Sequence, residues 1–427
     1  MITSQKGTRD LLPPDTRVWN GVERTAREVF ALYGFDEIRT PTFEATELFV
    51  RSVGEGTDIV HKEMYTFTDR GGRSVTLRPE NTAGVARAFV EHNMAQAGGV
   101  QRLYYAGPQF RYERPQKGRF REFRQIGAEV LGAADAATDA ELLVLLFDFL
   151  GRLGFTGLSV SLNSVGNAEC RLPFVEALRS FFSSKEESLD EDDRRRLAEN
   201  PLRILDSKNP SLRALLADPG LPSMLDFLDE ESKRHHSGLL ALLAAAGIPY
   251  RIEPRLVRGL DYYTRTVFEV TAGGLGAQDA LLGGGRYDRL VSDLGGPKTP
   301  GIGFAIGEDR LIEVLPAATR ETFLSEGSPQ VAVAPIGLGD VAEAFALAAE
   351  LRRAGYRTDL EASAKGPGRA IKAALKKGIG VLVLLGEEER RKGTFVVKNL
   401  ADGVQAEHPR ERLAAEVGAL LSSTRAT

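Results

Sequence analysis

Cysteine is nearly absent from this chain. Cys170 stands alone among 427 residues, which excludes a disulfide framework and a cysteine-built zinc centre. Histidine is scarce as well. The five, at 61, 92, 235, 236 and 408, show no H-E-x-x-H spacing. The neighbours His235 and His236 diverge on a helix, so no bound metal is expected, zinc included. Neither charge sign dominates: 55 Lys and Arg stand against 59 Asp and Glu, a net −4. Any contact with nucleic acid must therefore use local basic patches. Long apolar runs are missing. The longest, ELLVLLFDFL, is interrupted by Asp148 and falls short of the roughly 20 residues a membrane span needs. The opening MITSQKGTRDLLPPD has no apolar core of a secretory signal. A cytoplasmic protein with no membrane association is expected. No G-x-x-x-x-G-K-[ST] occurs, so ATP, if bound, is not held by a P-loop. The glycines at 301, 303 and 307 miss G-x-G-x-x-G by one position, which argues against a dinucleotide fold.

What is present is globular material, 42% hydrophobic and 27% charged, in a chain too long for one core. Three regimes follow one another. The first mixes short strands, turns and helices. TRVWNGVERTAREVFALYGF predicts a helix with Val18, Val22, Ala26, Val29 and Phe30 on one face and Gly34 as its stop. DEIRTPTFE predicts a strand carrying Pro41, at an edge or interface. Residues 171–246 read as a helical insertion whose charge run, SSKEESLDEDDRRRLAEN, is a solvated face. Strand-like text resumes with YRIEPRLVR, TRTVFEV, ALLGGGRYD and GIGFAIG. Residues 1–325 thus form one α+β domain interrupted by helices. Residues 326–427 alternate strand (QVAVAPI, YRTDLE, IGVLVLLG) with helix, Asp340 capping one and Gly355 stopping it. They predict a small α/β domain with a mostly parallel sheet.

Several stretches carry chemistry. YYAGPQFRYERPQKGRFREFRQIGAEVLG crowds Arg111, Arg114, Lys117, Arg119, Arg121 and Arg124 around a turn-like RPQKGR, a β-hairpin with a basic tip. Alternation puts Arg111 with Glu113 on one face, and Phe123 with Gln125, Gly127 and Glu129. Such a floor can stack an adenine and hold a phosphate by its arginines; a charged surface hairpin is the plainer reading. In TLRPENTAGVARAFVEH, Glu80 and Thr82 either cap a helix or receive an ammonium group. Gly283 to Gly285 let a ligand approach backbone. In VRGLDYYTRTVFEV, a guanidinium, a carboxylate and two phenols precede a strand, as a decorated turn or as a pocket wall.

Together these stretches resemble the class II aminoacyl-tRNA synthetases, and among them the histidyl-tRNA synthetase family. YGFDEIRTPTFE resembles motif 1, FRYERPQKGRFREFRQIGAEV motif 2 and GIGFAIGEDRL motif 3. KGTRDLLP, LRPENTAGVAR and VRGLDYYTRTVFEV are similar to text particular to the histidyl family. The resemblance covers nearly the whole chain. It implies an antiparallel catalytic sheet with flanking helices, and a C-terminal domain that meets the anticodon. It implies an ATP-dependent ligase that forms histidyl-adenylate and passes histidine to the 3′-terminal adenosine of its tRNA. ATP would enter with Mg²⁺. Arg111 would hold the α-phosphate, Glu113 and Phe123 the adenine, and Arg310 the γ-phosphate. Glu80, Thr82 and Gln125 would bind the amino-acid end of histidine. Glu129 and Tyr263 would address its imidazole nitrogens, with Tyr262 and Tyr287 as further pocket candidates. Asp261 and Tyr262 are also readable as structural. Arg258 would complement charge at the reacting centre. Gln116 and Arg119 would meet the tRNA acceptor end, and KGPGRAIKAALKKG is a candidate phosphate contact or a solvated helix face. Motif 1 implies a homodimer.

The chain departs from the family at motif 3, where Asp309 precedes Arg310 in place of the more frequent glutamate; only fine positioning is affected. Three rivals share some features. A regulatory paralogue from histidine biosynthesis is expected to lack the C-terminal domain and catalytic arginines. A threonyl enzyme would want zinc ligands. A plain RNA-binding module leaves the ATP-site text unexplained.

Overall fold

The computed structural model describes residues 2–54, 57–115, 118–199, 201–207, 209, 212–260, 262–273, 280–363 and 366–423. It divides into two compact units, Met1–Arg320 and Glu321–Thr427.

In the first unit the strands run β1 (Asp36–Glu37), β2 (Phe43–Ala45), β3 (Tyr65–Thr68), β4 (Ser74–Leu77), β5 (Gln101–Phe110) and β6 (Glu122–Leu131). They continue with β7 (Ser159–Ser164), β8 (Tyr250–Ile252), β9 (Thr264–Thr271), β10 (Ala280–Arg286) and β11 (Gly301–Gly307). Among the described residues they form a small sheet, β2-β4-β3, and an eight-stranded one ordered β1-β5-β6-β11-β10-β9-β7-β8. The large sheet is antiparallel from β5 to β7, and β1 and β8 join its two edges in parallel.

Side chains alternate across such a sheet, and the two faces of this one differ. Ile126, Ala128 and Val130 on β6 stand opposite Ile306, Phe304 and Ile302 on β11. This apolar face meets the helices Asp15–Leu32 and Ala136–Arg152. The Phe30 ring centre lies 5.4 Å from that of Tyr104, 5.6 Å from Phe149 and 6.0 Å from Phe304. The first helix buries Val18, Val22, Ala26, Val29 and Phe30, the face expected from its spacing, and adds Trp19. Each of its buried valine and phenylalanine side chains contributes about 1.5–3 kcal/mol on burial. Gly34, at φ +73°, follows that helix as its stop. The opposite face is floored with small residues. Glu129 pairs with Gly303 and Gly303 with Gly285, while Gly127, Ala305, Gly283 and Glu269 form the next row.

Three local expectations change. DEIRTPTFE is not one strand: it supplies β1 to the large sheet and β2 to the small one. Pro41 lies between, with no N–H to offer either ladder. Arg78 Nη1 fastens the bend by donating to the Thr40 carbonyl at 2.9 Å. YRIEPRLVR is a strand only over Tyr250–Ile252. Asn163 Nδ2 then donates to the Pro254 and Leu256 carbonyls at 2.9 and 3.0 Å, turning the chain away. The basic hairpin has a longer loop than RPQKGR. Its ladder stops at Phe110 and Glu122, so Arg111 and Glu113 lie outside the strands. Neighbouring backbone competes for the loop's donors: Tyr112 N binds the Glu63 carbonyl and Arg121 N that of Gly7, both at 2.7 Å.

The insertion is helical as expected, lying between β7 and β8. Its helices Ala168–Ser183 and Glu230–Ala245 are the longest, and a core of Phe174, Leu178, Phe182, Ile204 and Met224 is its own.

The second unit holds β12 (Val331–Pro335), β13 (Thr358–Leu360), β14 (Val381–Leu385), β15 (Thr394–Asn399) and β16 (Gln405–Pro409), ordered β13-β12-β14-β15-β16. The first three are parallel; β15 and β16 are antiparallel, so the sheet is mixed rather than mostly parallel. β16, QAEHP, is largely exposed and has no apolar alternation to announce it. Asp340 precedes the helix Val341–Arg353 without capping it by side chain. Its carboxylate takes Gly337 N at 3.1 Å and Arg390 Nε at 3.0 Å.

Candidate active site

The glycine-floored face of the large sheet gathers the expected site residues into two groups. One lines an open cleft of about 450 Å³: Arg111, Glu113, Arg119, Phe123, Gln125, Arg258 and Arg310. Arg111 leaves the end of β5, and its Nε donates to the Pro79 carbonyl at 2.9 Å. That bond aims the rest of the guanidinium over the Phe123 ring, 5.3 Å from its centre, and 4.0 Å from the Glu113 carboxylate. Arg119 reaches the same carboxylate at 3.5 Å from a half-exposed position. Arg258 lies flat on Gly283, where a Cβ would strike its guanidinium. Its Nη1 pairs with Glu269 at 2.5 Å, while its buried Nε has no partner. The Gln125 Oε1 is also buried and unpartnered. Arginine forks and an aromatic plane above a small-residue floor can hold a phosphate and stack a base.

The second group lies behind the cleft and is almost closed to water. Glu129 is fully buried on β6. Its Oε1 accepts from Thr82 Oγ1 at 2.8 Å and Tyr105 OH at 3.3 Å, its Oε2 from Tyr287 OH at 2.6 Å. Only glycine fits beside it at 303, since any Cβ there would fall within the Glu129 carboxylate. Burial raises the Glu129 pKa to about 8, against the three hydroxyl donors that lower it, with Glu80 adding to the rise. Glu80 is buried as well and caps the helix Thr82–Glu91, accepting from Thr82 N at 2.7 Å and Ala83 N at 2.9 Å. Burial pushes it up too. The Tyr262 and Tyr263 rings are tilted against each other with centres 4.7 Å apart, and Tyr262 meets Tyr287 edge-on at 5.7 Å. Burial raises all these phenols, so they stay protonated donors at neutral pH.

Three outcomes differ from the sequence expectations. The helix cap and the polar pocket are not alternatives, because Glu80 performs the first while facing the second. Gly283 and Gly285 make room for the protein's own side chains, the Arg258 guanidinium and the Tyr263 ring. Gln116 and Asp261 lie outside the described residues. Tyr105 and Glu269 were missed. Both sit on the ligand face by alternation, but only the register identifies them: Tyr105 opposite Gly127, and Glu269 opposite Gly283.

An antiparallel sheet with this arginine cleft agrees with the class II aminoacyl-tRNA synthetase resemblance of the sequence. Residues 7–311 match the family model for histidyl-tRNA synthetase and residues 330–420 that for an anticodon binding domain. A histidine–tRNA ligase of Koribacter versatilis is 50% identical over 425 residues, 97% of this chain and 95% of its own. The crystal structure of the apo S. aureus histidyl-tRNA synthetase superposes with a TM-score of 0.81 at 34% identity, covering 98% of this chain and 100% of that one. A Bacillus halodurans ATP phosphoribosyltransferase regulatory subunit/histidyl-tRNA synthetase shares the fold, with a TM-score of 0.66 at 24% identity over 90% of this chain and 98% of that one. The chain belongs to the histidyl-tRNA synthetase family, ATP-dependent ligases that join histidine to tRNA.

Proposed function

We propose that the two groups divide the family's reaction between them, the cleft taking ATP and the buried pocket taking the histidine side chain. The observation that carries this reading is their juxtaposition on one sheet face: Arg111 and Arg258 line the cleft, and Glu129 lies behind it on the same strand as Gln125. The histidine carboxylate attacks the α-phosphorus of ATP, the bond to pyrophosphate breaks, and histidyl-adenylate forms. The transfer step then exchanges AMP for the tRNA terminal adenosine. Activation needs no protein base. A carboxylate meeting a polyanion needs fixed positive charge where negative charge accumulates, and Arg111 and Arg258 supply it. Arg310 takes the far phosphates, and Phe123 and Glu113 the adenine. Mg²⁺ enters as part of the nucleotide substrate.

Glu80, Thr82 and Gln125 receive the amino-acid end of histidine. Glu129, with Tyr263, Tyr262 and Tyr287 around it, takes the imidazole. A carboxyl titrating near neutrality can donate to one ring nitrogen or accept from the other. A pocket with so many buried polar groups leaves them unpaired around an apolar analogue, which it therefore rejects.

The reading extends to tRNA and to assembly. Arg119 is exposed enough to meet an acceptor end. In the second unit the helix Pro367–Lys376 buries Ala370 and Ala374 and exposes Arg369, Lys372 and Lys376, a basic face suited to anticodon phosphates. The exposed edge strand β1 and Phe43, 57% exposed, favour a homodimer through the motif 1 segment. No helix among the described residues is long and apolar enough to cross a membrane; a cytoplasmic place is proposed, where tRNA is charged.

The test is ATP–pyrophosphate exchange with each of the twenty amino acids. Exchange with histidine alone is expected. No exchange with histidine, in folded protein with Mg²⁺ present, would sink the assignment.

A further inference from the structure

The stretch KGTRDLLP, residues 6–13, takes no part in the chemistry above. The structure lays it along the nucleotide end of the cleft. Arg9 Nη2 donates to Asp309 Oδ1 at 2.6 Å. The same guanidinium stands 4.0 Å from the Phe120 ring centre and 5.7 Å from that of Trp19, within reach of cation–π attraction. The Gly7 carbonyl accepts from Arg121 N at 2.7 Å, and the Lys6 carbonyl from Arg121 Nη1 at 3.4 Å.

These anchors belong to two different walls. Phe120 and Arg310 both line the cleft, Phe120 from the long hairpin loop and Arg310 from the residue after Asp309. The second Asp309 oxygen accepts from Arg124 N at 2.9 Å, so this carboxylate is held between Arg9 and the start of β6. Asp309 is the residue at which the chain departs from the more frequent glutamate. Its shorter side chain is met by an arginine from the N-terminal stretch.

We propose that Arg9 is a positioning residue for ATP: it clasps the hairpin loop, through Phe120, to the segment that carries Arg310. This rests on reading the cleft as the ATP site. The loop's ladder ends at Phe110 and Glu122, so its placement depends on contacts of this kind. A misplacement of about 1 Å far from the chemistry can cost about 10² in rate.

The test uses the full chain and ATP–pyrophosphate exchange, with ATP and histidine varied separately. Arg9→Met keeps the aliphatic stem and removes the charge and the flat stack. It should lower kcat/KM for ATP by about tenfold while the KM for histidine stays within about twofold. Arg9→Lys keeps the ion pair and loses the stack, and should fall between. Phe120→Leu should have a similar effect, and the double variant should be little worse than either single one, because both break the same contact. An Arg9→Met protein with wild-type dependence on ATP overturns the clasp. So does equal loss toward ATP and histidine, or independent losses in the double variant, either of which marks general destabilisation. Wild-type protein without histidine-dependent exchange would overturn the reading of the cleft, and the clasp with it.

Discussion

The two halves of the site are built on opposite electrostatic plans. The cleft keeps its arginines partly in water and holds them lightly: Arg111 by a backbone carbonyl with Glu113 nearby, and Arg258 by Glu269, these last two both near one-quarter exposed. The pocket behind it hides two carboxyls and three phenols, with Tyr263 partly buried beside them, and surrounds Glu129 with three hydroxyl donors. The first arrangement leaves donors available to a phosphate whose charge changes during reaction. The second commits its donors beforehand, so a ligand must replace those bonds or be rejected. On the proposed division, rate rests on the open half and choice of amino acid on the closed half. Both use the same device to make room, small residues on the sheet floor beneath a large polar side chain.

Removing a charge from the open half should have the largest effect. Arg258→Ala should lower histidine-dependent exchange by about 10²–10³. Its partner Glu269 is itself part-exposed and can be solvated, so the fold should persist. Near-normal exchange in this variant would mean that the charge at the reacting centre comes from elsewhere. Tyr287→Phe strikes the closed half. It takes the 2.6 Å donor from Glu129 Oε2 and leaves that oxygen buried. A buried group so exposed to loss costs about 1–3 kcal/mol, so kcat/KM for histidine should fall on the order of tenfold with the KM for ATP unchanged. A loss shared equally with ATP would erase the proposed division. Salt provides a smaller contrast. Going from dilute buffer to about 0.5 M KCl should raise the KM for ATP by about threefold and barely move that for histidine, because exposed charges are screened and buried ones are not. Equal responses would break the comparison.

The sequence made the closed half harder to read than the open one. Clustered arginines around a turn announce themselves, and Arg111, Arg119, Arg258 and Arg310 do line one cleft. Tyr105 sits beside Tyr104, and alternation alone leaves open which of them faces the ligand. Only the pairing of Tyr105 with Gly127 resolves it. Glycines at 283 and 285 read as room for a ligand, but their neighbours are long-range in sequence, so the side chains that fill the room were invisible. Helices with a 3.6 period, such as Asp15–Leu32, were legible to their last turn. The edge strand β16 and the split around Pro41 were not, because short exposed strands carry no burial pattern.

The smallest expected effect bears on the protonation of Glu129. Its pKa rises from the ordinary 4.5 to about 8 in the folded chain. Between those values the native state holds a proton that the unfolded chain releases, so stability falls as pH rises. The contribution is fully present below about 4.5 and is lost as pH passes through about 8. Glu129→Gln keeps the side chain's size and cannot ionise. Its melting temperature should therefore fall less than that of the wild type from about pH 5 to about pH 8.5, by a few °C. Glu308, also raised by burial to about 8, titrates in both proteins and cancels from the difference. Parallel melting curves would mean that Glu129 is already ionised in the empty pocket. The imidazole would then meet a carboxylate, and the closed half would select histidine by charge as well as by hydrogen bonds.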